Sequence, residues 1–214
     1  MKTKVIRIFA ILTLVSSASL CLAAKNADLK PVVAKPGKVL VDESFSDAKL
    51  GKNWMPNKGD WQTRDGMVVG KEKKEDNHNG VLLLSQPNHN SIIRFSFKND
   101  GAKAFDLSYN HAKGHLFRVL VEKDGIVVNK DKDKKDPKSK GLNLGKAPGK
   151  FEPGQWYTML VEVQGGKVVI QTDNGVNLTV TNSELDVDKI GYRFVVSGSS
   201  VAIADLKVWE AQPQ

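Results

Sequence analysis

The chain has 214 residues, of which 26% are charged and 7% aromatic, and its formal net charge is +8. Its single cysteine excludes an internal disulfide, so the folded protein depends on a hydrophobic core. Residues 123–150 hold much of the positive charge, but they lack the arginines and aromatic residues that nucleic-acid grooves favour. We therefore expect no nucleic-acid partner.

Residues 1–24 have the organisation of a secretory signal peptide, with basic residues before an apolar segment at residues 8–15. The apolar segment is too short for a transmembrane helix, so no transmembrane span is predicted. The protein is expected to be exported, to the periplasm or to the outside of the cell. Cys21 leaves a lipid anchor open, although Leu20 stands where a lipoprotein signal has a small residue.

About 190 residues remain after such a cleavage, which is enough for one all-β domain. Residues 25–38 are polar and proline-containing, and predict an extended leader. Between residues 39 and 210, apolar and polar side chains alternate with the period of two that half-buried strands require. No segment shows sustained helical periodicity.

The alternation predicts strands along the whole domain. In chain order they cover residues 39–45, 59–64, 67–69, 80–85, 91–98, 105–110, 115–122, 126–128, 155–164, 167–171, 176–180, 192–196 and 201–209. Asp65-Gly66, Gly165-Gly166 and Asn174-Gly175 predict tight hairpin turns, because these residues tolerate positive φ. Residues 130–150 are rich in lysine, contain two prolines and predict a mobile loop.

Strands of this kind, with turn signals about every 8–12 residues, predict a jelly roll. The predicted fold is all-β, a two-sheet antiparallel jelly-roll sandwich whose first and last strands are adjacent. Each strand has one apolar face, so the apolar faces of the two sheets are expected to pack together. The polar faces then point outward.

Three segments carry a resemblance to a known family. The first is Phe45, then Trp54, then Gly59-Asp60-Trp61 before Asp65-Gly66-Met67-Val68. The second is Gly154-Gln155-Trp156-Tyr157 before the hairpin at Asp173-Asn174-Gly175, and the third is the closing strand at residues 201–208. These segments resemble the concanavalin-A-like lectin/glucanase jelly rolls, and are most similar to the secreted bacterial 3-keto-disaccharide hydrolase domains. The resemblance implies a protein that contacts carbohydrate and that hydrolyses or otherwise cleaves glycosides, including keto-glycosides.

Asp106, Arg118 and Glu162 are the predicted catalytic residues, expected on one outward sheet face. Glycoside hydrolysis generally uses two carboxyl groups across a cleft, which Asp106 and Glu162 can supply. Arg118 can hold an oxyanion or a keto oxygen, and its charge is expected to keep a neighbouring carboxylate ionised as a base. The alternative is that these residues are solvent-facing and pair with lysine or arginine.

Five further residues are predicted to contact the ligand. Trp54, placed in a loop, and Trp156, on a mixed sheet face, can stack against sugar rings. Arg94, Asn110 and Glu122 belong to the outward polar positions and can hydrogen-bond to hydroxyl groups.

No metal site and no cofactor are predicted. His111 and His115 have a spacing that suits a metal only on a helix, whereas this segment is expected to turn between strands. Asp131 and Asp133 resemble part of a calcium loop, but the glycine and the closing glutamate of such a loop are missing.

The predicted function is that of an exported carbohydrate-active domain whose partner is a carbohydrate or glycoside ligand. The alternative is a non-catalytic carbohydrate-binding or envelope-associated module with the same fold. A lipid-anchored structural protein is the third hypothesis.

Overall fold

The computed structural model describes residues 29–214, which form an all-β structure. The predicted signal peptide, with Cys21, and leader residues 25–28 lie outside the described residues. The strands are β1 (Ala34–Glu43), β2 (Trp54–Lys58), β3 (Asp60–Arg64), β4 (Met67–Lys71), β5 (Gly80–Asn88), β6 (Ser91–His111), β7 (Gly114–Glu122), β8 (Gly125–Lys130), β9 (Leu142–Pro148), β10 (Trp156–Gln164), β11 (Lys167–Thr172), β12 (Asn177–Thr181) and β13 (Lys189–Pro213). Two short 3-10 turns lie at Lys74–Asp76 and Ser183–Leu185. Within residues 29–214, no helix has the length and apolar character to cross a membrane.

Two long strands belong to both sheets. β6 has 21 residues and β13 has 25, and the two pair antiparallel over most of their length. Their pairing shifts register between Ser197 and Val201, where Gly101 and Gly198 adopt positive φ values that side chains disfavour. Each strand passes from one sheet to the other at this bend.

The back sheet has the order β12-β11-β10-β6-β13-β4-β3 and uses the first part of β6 with the last part of β13. β1 pairs with this same part of β13, so the first and last strands are adjacent, as predicted. The front sheet has the order β9-β8-β7-β6-β13-β5-β2 and uses the other part of each long strand. The predicted two-sheet antiparallel jelly-roll sandwich is confirmed.

The apolar faces of the two sheets enclose one core. Phe97, from the back part of β6, stacks on Phe105, from the front part, with ring centroids 5.4 Å apart. Phe95 meets Phe194 edge to face at 5.5 Å. These four rings are buried, and the residues that alternate with them along the strands point outward.

Several predicted boundaries differ from the observed ones. β1 begins at Ala34 rather than at residue 39, because the end of the predicted leader pairs with the end of β13, Ala34 opposite Pro213. Asp65 and Gly66 both have positive φ, as their hairpin requires. At the predicted Asn174-Gly175 turn, only the glycine has positive φ, so a type I′ turn is not formed.

The basic segment at residues 130–150 is only partly a loop. Residues 142–148 form the edge strand β9, which pairs with β8, so the prediction of a loop throughout is wrong. The prediction failed because the apolar residues of this strand are few and are separated by Asn143, Gly145 and Lys146. The longest irregular part is residues 131–141, and residues 149–150 after β9 are also outside any strand.

Trypsin is expected to cut first within residues 131–141, which contain several lysines and no strand. Local opening is easiest where few backbone groups are paired in a sheet. Mass spectrometry of the earliest fragments identifies the site, and the nicked protein should keep its β-sheet circular dichroism spectrum. Earlier cleavage at Lys146, inside β9, contradicts this assignment.

Candidate functional site

The outer face of the front sheet carries a pocket of about 280 Å³, called the front pocket. The adjacent strands β7, β6 and β13 contribute Arg118, Asp106 and Arg193 to its floor. Lys58, at the end of β2, and His78, in the loop before β5, line its side. Polar groups from separate parts of the chain therefore converge at one depression.

Asp106 lies on the floor of the front pocket, opposite Leu120 of β7 and Val195 of β13. Asp106 is only 8% exposed, and its Oδ1 has no hydrogen-bond partner in the described part of the chain. Burial raises the pKa of the Asp106 carboxyl to about 7, while Arg118 opposes this shift and Asp131 adds to it. The carboxyl therefore titrates much closer to neutral pH than a free aspartate does.

Arg118 is held beside Asp106 by a two-point ion pair with Asp131. Its Nε donates to Oδ2 at 3.0 Å, and its Nη2 donates to Oδ1. A guanidinium has five N–H donors, so donors remain for a ligand. Arg118 lowers the pKa of Asp106, as expected, but Asp131 balances the charge of Arg118. The opposite effect of burial on the pKa of Asp106 is therefore larger.

His115 is fixed as a neutral ring by its two neighbours. The Arg193 Nη1 lies 3.0 Å from its Nε2, and an arginine can only donate. The ring proton is therefore on Nδ1, which donates to the Ser108 Oγ at 3.3 Å. Burial and the charge of Arg193 both lower the pKa of His115. Its one basic nitrogen is occupied, so His115 is a positioning residue.

The three predicted catalytic residues do not share a face. Asp106, Arg118 and Asn110 lie on the front sheet, where Asn110 is buried and its Oδ1 has no partner in residues 29–214. Glu162 and Arg94 lie on the outer face of the back sheet, since both belong to the β6–β10 pairing. Alternation showed that all five point outward, but not that β6 changes sheets between residues 94 and 106.

Glu162 binds the beginning of the folded chain. Its carboxylate accepts backbone N–H bonds from Val32 at 2.9 Å, from Val33 at 3.0 Å and from Ala34 at 3.2 Å. The residue has no exposed surface, and its other neighbour is Gln171. These contacts attach the segment before β1 to the back sheet, so the carboxylate is not available in the front pocket.

Replacing Glu162 with glutamine is expected to destabilise the fold by about 2–4 kcal/mol, because buried N–H donors lose a charged acceptor. Turnover or ligand binding at the front pocket should not change. Urea unfolding of the variant measures the first effect, with Glu210→Gln as a control on an exposed carboxylate of β13. An unchanged unfolding midpoint, or a selective loss of function, contradicts this structural role.

Trp54 lies in the core rather than in a loop. It begins β2, packs against Phe45 and Phe194 at 5.3 and 6.0 Å, and is 7% exposed. Its Nε1 donates to the Glu43 Oε2 at 3.1 Å. The prediction of a loop position is wrong, and the ring faces the sandwich interior, where a sugar cannot stack on it.

The remaining predicted ligand contacts lie away from the front pocket. Trp156 is half-buried on the back sheet, with the Lys98 Nζ 5.6 Å from its ring centroid. Glu122 is exposed at the end of β7 and lies 3.6 Å from the Lys146 Nζ. Neither side chain lines the front pocket.

Sequence reasoning missed the importance of Arg193, His115 and Asp131. Arg193 lies between the apolar Tyr192 and Phe194, so alternation alone places it outward. His115 was weighed only as a metal ligand. Asp131 follows β8 directly, and no local pattern shows that it reaches back to Arg118.

A larger pocket of about 790 Å³ adjoins the front pocket and shares His115 with it. The segment at residues 131–141 forms one of its walls. Its lysines and acidic residues are similar in number, and two of the lysines are paired, Lys113 with Asp133 and Lys130 with Glu184. This space is large enough for further sugar units beside the front pocket.

Comparison with known proteins shows the fold. No protein-family model matches the chain, and no curated protein sequence matches it. Porphyranase B from Zobellia galactanivorans is similar in structure, with a TM-score of 0.60 and 10% identity over 80% of this chain and 91% of that one. A non-specific endo-beta-1,3(4)-glucanase from family GH16 has a TM-score of 0.60 and 11% identity over 84% of this chain and 96% of that one. The chain therefore shares the two-sheet jelly-roll fold of these two proteins.

Proposed function

We propose that this protein is an exported enzyme that cleaves a glycoside in the front pocket, with Asp106 as its acid–base group. The observation that carries the proposal is the Asp106 carboxyl, buried beside Arg118 in a pocket and with its pKa raised to about 7. A group whose pKa lies near the working pH can both accept and donate a proton. Perturbed groups of this kind concentrate at functional sites.

The fold supports a carbohydrate ligand by analogy. The two similar structures are a porphyranase and an endo-glucanase, so the same jelly roll serves proteins named for glycan cleavage. The signal peptide predicted at residues 1–24 is expected to export the protein, so that it meets glycans in the periplasm or outside the cell.

The arrangement of acidic residues favours elimination over two-carboxylate hydrolysis. Asp106 is the one acidic residue among those described that line the front pocket. Asp131 is paired with Arg118, and Glu162 lies on the other sheet. Hydrolysis through two carboxyl groups has no second group here. A substrate with a carbonyl beside the cleaved bond needs only one base, and keto-glycosides, to which the family resemblance points, have that carbonyl.

The reaction proceeds by proton abstraction next to the carbonyl. Ionised Asp106 takes a proton from the adjacent carbon, and the C–H electrons form a carbon–carbon double bond as the glycosidic C–O bond at the next carbon breaks. The departing oxygen takes the proton from Asp106, which returns to its starting state. Arg118 donates to the carbonyl oxygen while negative charge develops there. Later addition of water across the double bond makes the net reaction a hydrolysis.

The test is a panel of 3-keto-glucosides, uronides and plain glycosides incubated with the purified protein, with product release and binding heat followed together. Cleavage of carbonyl-bearing members but not of plain glycosides supports the proposal. Equal cleavage of plain glycosides contradicts the elimination mechanism. Binding without product favours the binding module, and neither signal with any member removes carbohydrate from the proposal.

A further inference from the structure

We infer that the sugar bound in the front pocket is acidic, and that Arg193 binds its carboxylate or sulfate group. This inference rests on the proposed glycan-cleaving function and adds the class of substrate.

Among the residues that the structure describes, Arg193 is the cation of the front pocket that no carboxylate balances. Arg118 is paired with Asp131, and the Lys58 Nζ lies 3.9 Å from the Asp76 carboxylate. Arg193 forms no ion pair with the acidic side chains of residues 29–214, and burial lowers its pKa without any opposing acidic neighbour. A half-buried cation without a charge partner is unfavourable, so a bound anion offsets the cost of burying Arg193.

The donors of Arg193 are also incompletely used. The Nη1 of Arg193 donates one hydrogen bond to His115. The Nε of Arg193 is buried and has no acceptor in the described part of the chain. The planar guanidinium presents its N–H groups as a rigid fork that matches the paired oxygens of a carboxylate or sulfate. An acidic sugar group therefore supplies the missing charge and acceptors for the Nη groups of Arg193.

His115 helps to direct this fork. Its neutral ring is held between Ser108 and Arg193, so it orients the guanidinium without adding a second positive charge. The adjoining larger pocket has a similar number of lysines and acidic residues, so it gives no strong preference for charge. Selection for an acidic sugar is therefore assigned to Arg193.

The test measures binding by titration calorimetry with matched oligosaccharides that differ only in one group: a uronate, a sulfate ester or the neutral hydroxyl. Wild-type protein is expected to bind at least one acidic form about 10–100-fold more tightly than the neutral form, the range for a charge-assisted hydrogen-bonded pair. Added salt should weaken this preference. Preference for the uronate identifies a carboxylate, and preference for the sulfate ester identifies a sulfate.

Arg193→Gln is expected to remove the preference for the acidic sugar, so that the ratio of acidic to neutral affinity falls to about one. Arg193→Lys is expected to keep part of the preference. Arg64→Gln removes the same charge from exposed β3 and should leave the ratio unchanged. Equal binding of acidic and neutral sugars by wild type, or an unchanged ratio in a folded Arg193→Gln variant, overturns the inference and leaves the proposed function standing. Absence of binding and cleavage for every sugar overturns both.

Discussion

Asp106→Asn is expected to reduce turnover by about 10²–10⁴-fold, the contribution of a positioned general acid–base group. Asparagine keeps the size and the hydrogen-bonding capacity of the side chain but cannot exchange a proton at neutral pH. Substrate binding should change little, so the loss should fall on kcat. A variant that keeps wild-type kcat contradicts the role of Asp106.

The same substitution is expected to stabilise the fold above pH 7. The carboxyl has a pKa of about 7 in the folded protein against 3.8 for the free side chain, so the folded state binds more protons between these values. Wild-type stability should therefore fall as the pH rises through this window, by at most about 4 kcal/mol. The asparagine variant has no such dependence at this position.

Urea unfolding at several pH values between 4 and 9 measures this effect of Asp106. The matched control is Asp100→Asn, which removes an exposed carboxylate from the same strand, where it pairs with Lys98 at 3.3 Å. The control should follow the wild-type pH dependence and keep wild-type turnover. A simultaneous loss of turnover and gain of stability at pH 8 is the signature of a buried acid retained for function.

Arg118→Ala is expected to reduce turnover by about a hundredfold or more, the scale for removal of one preorganised donor to a developing oxyanion. The variant also leaves Asp131 without its two-point partner, so part of any loss can come from local disorder. Steady-state kinetics with the best carbonyl-bearing substrate measures the effect on kcat and on KM separately.

Two further variants separate these contributions. Arg118→Lys keeps the positive charge but loses the fork, and is expected to recover only part of the turnover. Asp131→Asn leaves Arg118 in place but removes its charge partner, so it should lower the pKa of Asp106 and move the pH–rate profile to lower pH. If Arg118→Ala retains full turnover, the stabilisation of the carbonyl oxygen by this residue is wrong.

The fold was predictable because each strand has an apolar face that repeats every second residue. Phe95, Phe97 and Phe105 all point into the core, as their alternation indicated. The edge strand β9 was missed because its apolar pattern is weak, and the start of β1 was missed because Pro36 and Gly37 interrupt it. Pairing with β8 and β13 forms these segments, and β13 is remote in sequence from β1.

The candidate site was predictable only in part. Asp106 and Arg118 were found because residues that alternate with buried apolar positions must point outward. Alternation carries no information about the sheet from which a residue points, so Glu162 was grouped with them although β6 bends in between. The raised pKa of Asp106 depends on burial and on Asp131, which only the folded chain brings together.

The most direct test of the central claim is an isotope measurement. A carbonyl-bearing glycoside is prepared with deuterium on the carbon next to the carbonyl, and its cleavage by wild-type protein is compared with that of the unlabelled substrate. Abstraction of this proton by Asp106 predicts slower cleavage of the deuterated substrate, and little cleavage of either by Asp106→Asn. Equal rates for the two substrates, together with retained activity of Asp106→Asn, contradict an acid–base role of Asp106 in the front pocket.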